Sequence, residues 1–431
     1  MSKISKPKLA PGPTLDPTKF IKRRITGVPH VAVLRVAKGF GDIAMSEVTA
    51  RLAPPLLQPK FEPNISLTES GIQIANIGWR DLLALTAHLT TVREVLWEIG
   101  GGRAGSIKEI KDRIDELPWN IFLPQNCAIS IRTNSIASHI YHEGKIAELI
   151  EKTLKKFAIN VTDREKTPHL LDIRLVEDRL KISLSLNGRP LYQRGYKRVL
   201  SGIASVKEDI ASGAISAALT FAHEQKIESF EHILVPFAGS GTFAFEAAMT
   251  FGRLPPWLFF GELSAESYPC CATASLGFAR QQSARLIDTS QIPNLTLLDI
   301  DGKTCESLTI NINGFNDILS SHSIPPIRTK VIHEDVLKFD LEETTRSAAS
   351  TLILMNPPFG ARLGSKSSTG LLYQQIGQKL SKLHGVIAGF VFAPTLAVAD
   401  RLISRMSKFQ IATRPFNHGG RTVYLVLFCR K

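Results

Sequence analysis

The apolar run Thr351–Met355 goes straight into Asn356-Pro357-Pro358-Phe359, and this junction fixes more of the fold than any composition value does. A near-continuous hydrophobic segment bounded by a turn signal reads as a strand buried on both faces, as in a parallel sheet. Two consecutive prolines supply no amide donors, so the ladder has to stop there. The strand's carboxyl edge then carries a side-chain amide, carbonyl oxygens on a stiff backbone and an aromatic ring. Ligands of open α/β sheets bind along that edge. An amine that needs two acceptors and a stacking surface suits the arrangement, and a plain proline-capped strand end accounts for the same four residues.

The surrounding pattern supports the parallel sheet. From about Ser205, strands at His232–Phe237, Leu295–Ile300, Lys330–Asp335, Thr351–Asn356 and Val386–Phe392 alternate with helical stretches. That alternation predicts a doubly wound α/β fold. Two last strands, Phe409–Arg414 and Thr422–Cys429, flank Asn417-His418-Gly419-Gly420 and read as an antiparallel hairpin with a glycine turn.

The amino-terminal half reads differently. Residues 1–29 are Lys/Pro-rich without periodicity, which predicts a flexible basic arm. Then come a strand over Val31–Phe40, a helix over Asp42–Leu52 capped by Asp42, and strands near Asn64–Leu67 and Gly71–Ile77. A helix over Trp79–Ile99 and a hinge or loop at Gly100-Gly101-Gly102 follow. Beyond the hinge, a strand at Cys127–Thr133, a helix over His142–Phe157 and strands near His169–Leu175 and Lys181–Leu186 complete an α+β unit. The expected boundaries are 1–29, 30–100, 101–190 and 191–431.

The formal net charge is +13, and residues 1–60 hold 11 Lys/Arg against 3 Asp/Glu, which favours a polyanionic partner such as nucleic acid. Lys145, Lys152 and Lys155 fall on one helix, Arg194 and Tyr196 on the basic, tyrosine-bearing stretch RPLYQRGYKR, and Arg362 and Lys366 just past the prolines. Each is a candidate RNA contact, with a solvated charge as the alternative. The five cysteines show no CxxC pair and no zinc-ligand spacing, so the expectation is no metal and no disulfide, with reduced thiols in the cytoplasm. Val386–Ala399, the longest apolar run, is too short to span a bilayer and contains Pro394, and the first residues lack the apolar core of a secretory signal.

Three further strand ends carry polar signals. The first strand runs into PFAGSGT (Pro236–Thr242), where glycines let a ligand approach the backbone at a helix start. Ala244 takes the place of the dinucleotide fingerprint's third glycine and no GK[ST] follows, so neither that fingerprint nor a Walker A loop is present. The second strand ends in LLDID, with Asp299 closer to the strand than Asp301, and the third in Glu334-Asp335. A carboxylate on the second strand can accept from ribose hydroxyls, and Asp335 from an adenine amine. Each acid alone reads equally as a cap. Together with the glycine loop they describe a pocket for an adenosine bearing an amino-acid end.

PFAGSGT, LLDID, HED and NPPFGARLG, in this order and spacing, resemble the class I S-adenosylmethionine-dependent methyltransferases. KGFGDIAMSEV, SHIYHEGKIAELIEKTL, RPLYQRGYK with ASVKEDIASGAI, and PFNHGGRTVYLVLF narrow the resemblance to the THUMP-domain family that methylates the exocyclic N(2) amine of guanine in RNA. It covers about residues 30–431. The resemblance implies a Rossmann-like seven-stranded sheet with a terminal antiparallel hairpin, preceded by a ferredoxin-like/THUMP RNA-binding region. It implies S-adenosyl-L-methionine as cofactor and structured RNA as partner, with 23S ribosomal RNA foremost and transfer RNA among close relatives. The residues implied as catalytic are Asn356, Pro357, Pro358 and Phe359. Those implied at the cofactor are Pro236, Phe237, Ala238, Gly239, Ser240, Gly241, Thr242, Asp299, Asp301, Asp335 and Asn356. One departure stands out: Val235 and Ala238 occupy positions where the family usually has Asp and often Cys. The rival readings are an adenine-amine methyltransferase, a non-catalytic RNA-binding factor with a decayed cofactor site, and a nucleotide oxidoreductase, against which the missing third glycine and the terminal hairpin argue.

Overall fold

The computed structural model describes residues 25–199, 205–346, 348–359 and 366–431. Most of the basic arm expected at 1–29 therefore lies outside the described residues, while Ile25, near its end, is buried in the amino-terminal core. Eight strands form the first sheet: β1 (Pro29–Val36), β2 (Asn64–Thr68), β3 (Gly71–Gly78), β4 (Val92–Arg103), β5 (Ala128–Ile136), β6 (Asn160–Val161), β7 (Leu170–Val176) and β8 (Arg179–Ser185). Their order is β2-β3-β1-β4-β8-β7-β5-β6.

Two expectations fail along β4. The helix starting at Trp79 ends at His88, and residues 92–103 are a strand. Thr90 and Thr91 give both their amides and both their hydroxyls to the Glu47 carboxylate, which satisfies the chain outside any helix. The β-branched residues there then lead into a strand whose Val95 and Trp97 face the core. Gly100–Gly102 is neither a hinge nor a loop. It sits inside β4, just after a bulge at Glu98/Gly100, and a Cβ on Gly101 would fall 2.2 Å from the Leu180 carbonyl oxygen. Glycine is needed there for close strand approach. The boundary expected at residue 100 thus cuts a strand paired on one side with β1 and on the other with β8. The Asp42 cap also fails: the helix Gly41–Arg51 starts from Phe40, and Asp42 pairs with Arg414 instead.

The second sheet holds β9 (His232–Pro236), β10 (Asn294–Asp299), β11 (Thr329–His333), β12 (Ser350–Met355), β13 (Val386–Ala393), β14 (Gln410–His418) and β15 (Arg421–Arg430). The order is β11-β10-β9-β12-β13-β15-β14, with β9 to β13 parallel and β15 antiparallel to its neighbours β13 and β14. The sheet predicted from sequence is therefore present strand for strand. Gly419 and Gly420, both at positive φ, make the hairpin turn. Alternate side chains feed two cores: Val235, Leu352 and Leu354 enter one, Leu234, Ile353 and Met355 the other. Because β9 lies between β10 and β12, the chain reverses its winding there, and the crevice outside the carboxyl ends of these strands is where such sheets bind ligands.

The two sheets are joined through packed side chains. Phe40 is buried in the core of the second sheet against Phe416, with ring centroids 5.3 Å apart. Gly39 permits this, since a Cβ there would lie 2.6 Å from the Pro415 carbonyl oxygen. Asn417 N donates to Lys38 O at 2.9 Å, and Arg414 Nε to Gly39 O at 2.9 Å.

Candidate active site

The glycine loop leaves β9 in a conformation only partly open to side chains. Phe237 (φ 62°), Gly239 (φ 53°) and Gly241 (φ 91°) all adopt positive φ. A Cβ on Gly241 would meet Phe245 at 2.7 Å and Leu308 at 2.8 Å, so glycine is obligatory there. At Gly239 a Cβ would meet nothing within 4 Å, which leaves that backbone facing open space. Pro236 is the last residue of β9, Ala238 N bonds to Leu298 O at 2.8 Å, and Thr242 starts the helix Thr242–Phe251. The first amides of that helix have no intrahelical acceptor, which favours an anionic group in front of them.

Asp299 ends β10 and holds the loop. Its Oδ2 accepts from Gly239 N at 2.9 Å and its Oδ1 from Asp301 N at 3.1 Å. Each carboxylate oxygen keeps acceptor capacity for a hydroxyl. This contact also answers the substitution at Val235. That side chain is fully buried in the apolar core, where an unpaired carboxylate is costly, and the loop is ordered from the neighbouring strand instead. Asp301 serves its own helix: Oδ1 accepts from Lys303 N at 3.1 Å and Oδ2 from the Thr304 hydroxyl at 3.0 Å. The Thr304 hydroxyl bond and the Lys303 amide hold its carboxyl below the usual range. Asp335 is half-buried past β11 and its Oδ1 accepts from Leu337 N at 2.9 Å.

Asn356 stands at the end of fully buried β12. Its Oδ1 is buried and has no hydrogen-bond partner among the described residues. An amide oxygen hidden from water without a donor costs about 1–3 kcal/mol, so native proteins rarely keep one without use. Pro357 is buried, Pro358 half-buried, and Phe359 packs partly buried against the core shared with Val235. Glycine loop, Asp299 and Asn356 thus meet at adjacent carboxyl edges, as the strand order requires. An adenosine with an amino-acid tail fits the open backbone at Gly239 and the spare acceptors on Asp299, and beside them Asn356 offers an oxygen that lacks a donor. Two surface clefts of about 460 and 590 Å³ open elsewhere, one by the carboxy-terminal strand edge and one between residues 164–168 and 187–193, and neither contains these groups.

The structure separates the candidate RNA contacts. Lys145, Lys152 and Lys155 are exposed on or just past the helix Glu143–Leu154, Lys155 pairing with Glu151 at 2.8 Å. Arg194 and Tyr196 are not surface groups: they are 0% and 1% exposed. Both bind the fully buried Glu246, Arg194 Nε at 3.3 Å and the Tyr196 hydroxyl at 2.9 Å, and Arg194 Nη2 reaches Thr90 O at 2.5 Å. Burial pushes the Tyr196 phenol well up. Tyrosine interleaved with arginine looks like a nucleic-acid signature, but here the pattern builds an internal clasp between the two sheets. Arg362 lies outside the described residues, and Lys366 opens the helix Lys366–Lys382 with its side chain outside them as well. Sequence reasoning passed over Glu246 and also Asn311, a fully buried amide whose contacts reach the glycine loop. An acid and an amide on otherwise apolar helix faces were the signals available for both.

Among the described residues no group of three His, Cys, Asp or Glu could hold a metal, and no helix is long and apolar enough to cross a membrane. A protein of Cellvibrio japonicus named ribosomal RNA large subunit methyltransferase K/L is 25% identical over 305 residues, 67% of this chain but 38% of that protein. A Synechocystis protein named "Putative RNA methyltransferase slr0064" is 23% identical over 396 residues, 89% of this chain and 93% of its own length. Thus the chain spans about two-fifths of the first relative and nearly all of the second. The solved structure of "SMU.472, a putative methyltransferase complexed with SAH" superposes with a TM-score of 0.72 at 17% identity, covering 94% of this chain and 99% of that one, which shows a common fold. The family model described as RMKL-like, methyltransferase domain (UPF0020) matches residues 194–423, more than half of the chain. With the seven-stranded sheet and the edge built from Gly239, Asp299 and Asn356, this chain belongs to the RMKL-like methyltransferase domain family.

Proposed function

We propose that this chain transfers a methyl group from S-adenosyl-L-methionine to the exocyclic N(2) amine of a guanine in structured RNA, with 23S ribosomal RNA as the favoured substrate. The observation that carries the reading is the buried, unpartnered Oδ1 of Asn356 at the end of a central strand, beside the glycine loop. The ribosomal RNA large subunit methyltransferase named among the relatives supports ribosomal RNA as the substrate, and the charge of +13 supports a polyanionic partner. A cytoplasmic site of action follows from that substrate.

The cofactor, when bound, supplies a methyl made electrophilic by its sulfonium. Gly239–Thr242, Asp299 and Asp335 hold and orient it. The guanine amine is conjugated with its ring and nucleophilic only weakly. Asn356 Oδ1 accepts one amine hydrogen and the Pro357 carbonyl the other, favouring a pyramidal nitrogen with a directed lone pair. The contribution is position and electrostatics, without a covalent enzyme intermediate. Phe359 offers a face for a flipped-out base, worth about 1–3 kcal/mol. The surplus proton leaves to solvent afterwards. Residues 191–431 carry this chemistry, and residues 30–190, with Lys145, Lys152 and Lys155, dock the RNA through phosphates and shape.

The decisive experiment incubates the protein with methyl-labelled S-adenosylmethionine and total RNA from a strain lacking it, then maps the labelled nucleoside. N(2)-methylguanosine in 23S RNA is the expected product. Label in N6-methyladenosine would replace the acceptor, and no label in any RNA would refute the reading.

A further inference from the structure

The segment Leu191–Val199 crosses from the first sheet to the glycine loop, and its anchors are polar and specific. Leu191 N donates to Arg93 O on β4 at 2.8 Å. In its middle, Arg194 and Tyr196 bind Glu246 on the helix that begins at the loop. The far end rests on the helix Gly302–Ser321, which starts directly after Asp301. There Asn311, fully buried, uses every polar atom of its side chain. Its Oδ1 accepts from Arg198 N at 2.8 Å and Val199 N at 2.9 Å, and its Nδ2 donates to Val199 O at 2.9 Å and to Ser240 O at 3.2 Å. One turn on, Gly314 leaves room for the Arg198 stem, since a Cβ there would lie 2.8–2.9 Å from it. Asp317, a turn further, takes the guanidinium at 2.6 Å. Positions 311, 314 and 317 share a helix face, so the three form one seat.

The contact to Ser240 bears directly on the cofactor loop. The Ser240–Gly241 peptide unit has two polar groups. Asn311 holds its C=O, and its N–H bonds to Ala238 O at 2.9 Å. With both ends tied, the plane of that peptide cannot turn, and the direction of the neighbouring loop amides is set with it. We propose that Asn311 is a positioning residue: by clasping Arg198–Val199 and the Ser240 carbonyl together, it makes the cofactor affinity of the glycine loop depend on the seating of the segment that comes from the RNA-docking sheet. This rests on the methyltransferase reading above.

The test measures S-adenosylhomocysteine binding by calorimetry, amide exchange at Ser240–Phe243 by mass spectrometry, and binding of a structured RNA transcript. Asn311→Ala is expected to weaken S-adenosylhomocysteine about tenfold and speed exchange across the loop, with RNA affinity within twofold of wild type. Should that variant fail to fold, Gly314→Val, which wedges the Arg198 stem from its seat, decides the matter with an expected loss of about threefold. A folded Asn311→Ala with cofactor affinity within twofold of wild type overturns the clasp, as does a parallel loss of both affinities or an unaltered Gly314→Val. Wild-type protein that binds no S-adenosylhomocysteine instead refutes the methyltransferase reading itself.

Discussion

Replacing Asn356 by alanine separates a residue kept for chemistry from one kept for packing, because the two roles predict opposite signs. In the free protein its Oδ1 is buried without a donor. Such a group costs about 1–3 kcal/mol, and deletion removes that cost while losing only modest van der Waals contact. Asn356→Ala should therefore melt at the wild-type temperature or above it. Methyl transfer moves the other way. Losing one preorganised hydrogen-bonding group costs about 3–4 kcal/mol of barrier on the scale seen for oxyanion-hole donors, a fall of roughly 10²–10³ in the single-turnover rate. Binding of S-adenosylhomocysteine should stay within a few-fold, since the loop and Asp299 are intact. Asn356→Asp keeps an acceptor oxygen and should retain part of the rate. The assay combines single-turnover transfer to RNA, calorimetry and thermal denaturation. A rate within threefold of wild type would remove Asn356 from the reaction, and a clear drop in melting temperature would show that its oxygen was serving the fold.

The remaining predictions test other parts of the site and its frame. Gly239→Ala should fold and yet bind S-adenosylhomocysteine more weakly, because its Cβ enters only open space at the loop, whereas Gly241→Ala should lose stability first through contacts at 2.7 and 2.8 Å, readable by melting against calorimetry. Arg194→Ala strands the buried Glu246 carboxylate and should cost about 3–5 kcal/mol of stability in denaturant titration, with the salt slope of RNA binding unchanged. Lys145→Ala and Lys152→Ala should each do the reverse, lowering the slope of log affinity against log salt by about 1 with no loss of stability. His88 is 1% exposed, and burial lowers its pKa from 6.5 to about 4. Its neutral form belongs to the folded state, so the associated stability is complete above pH 6.5 and is lost as pH falls toward 4. The total is about 3 kcal/mol from the shift, and His88→Gln should flatten the acid limb of a stability–pH curve.

What the sequence disclosed, and what it hid, divides by the range of the interactions involved. Strand ends of the second sheet were readable because each is decided within a few residues: Pro357-Pro358 stops β12, Gly239 and Gly241 turn β9 into a helix, and Gly419-Gly420 closes the hairpin. The end of the helix at His88 was not readable, since what frees Thr90 and Thr91 from helical bonding is Glu47, more than forty residues earlier. Gly100–Gly102 misled for the same reason, because the carbonyl that demands glycine belongs to Leu180. The basic stretch RPLYQRGYKR shows the limit most clearly. Composition registers Arg194 as a free charge, and only the fold brings Glu246 and Thr90 around it. The groups that read as facing RNA instead tie Thr90, beside the first sheet, to Glu246 on the helix of the glycine loop. Burying that polar connection with its partners satisfied is what makes it rigid.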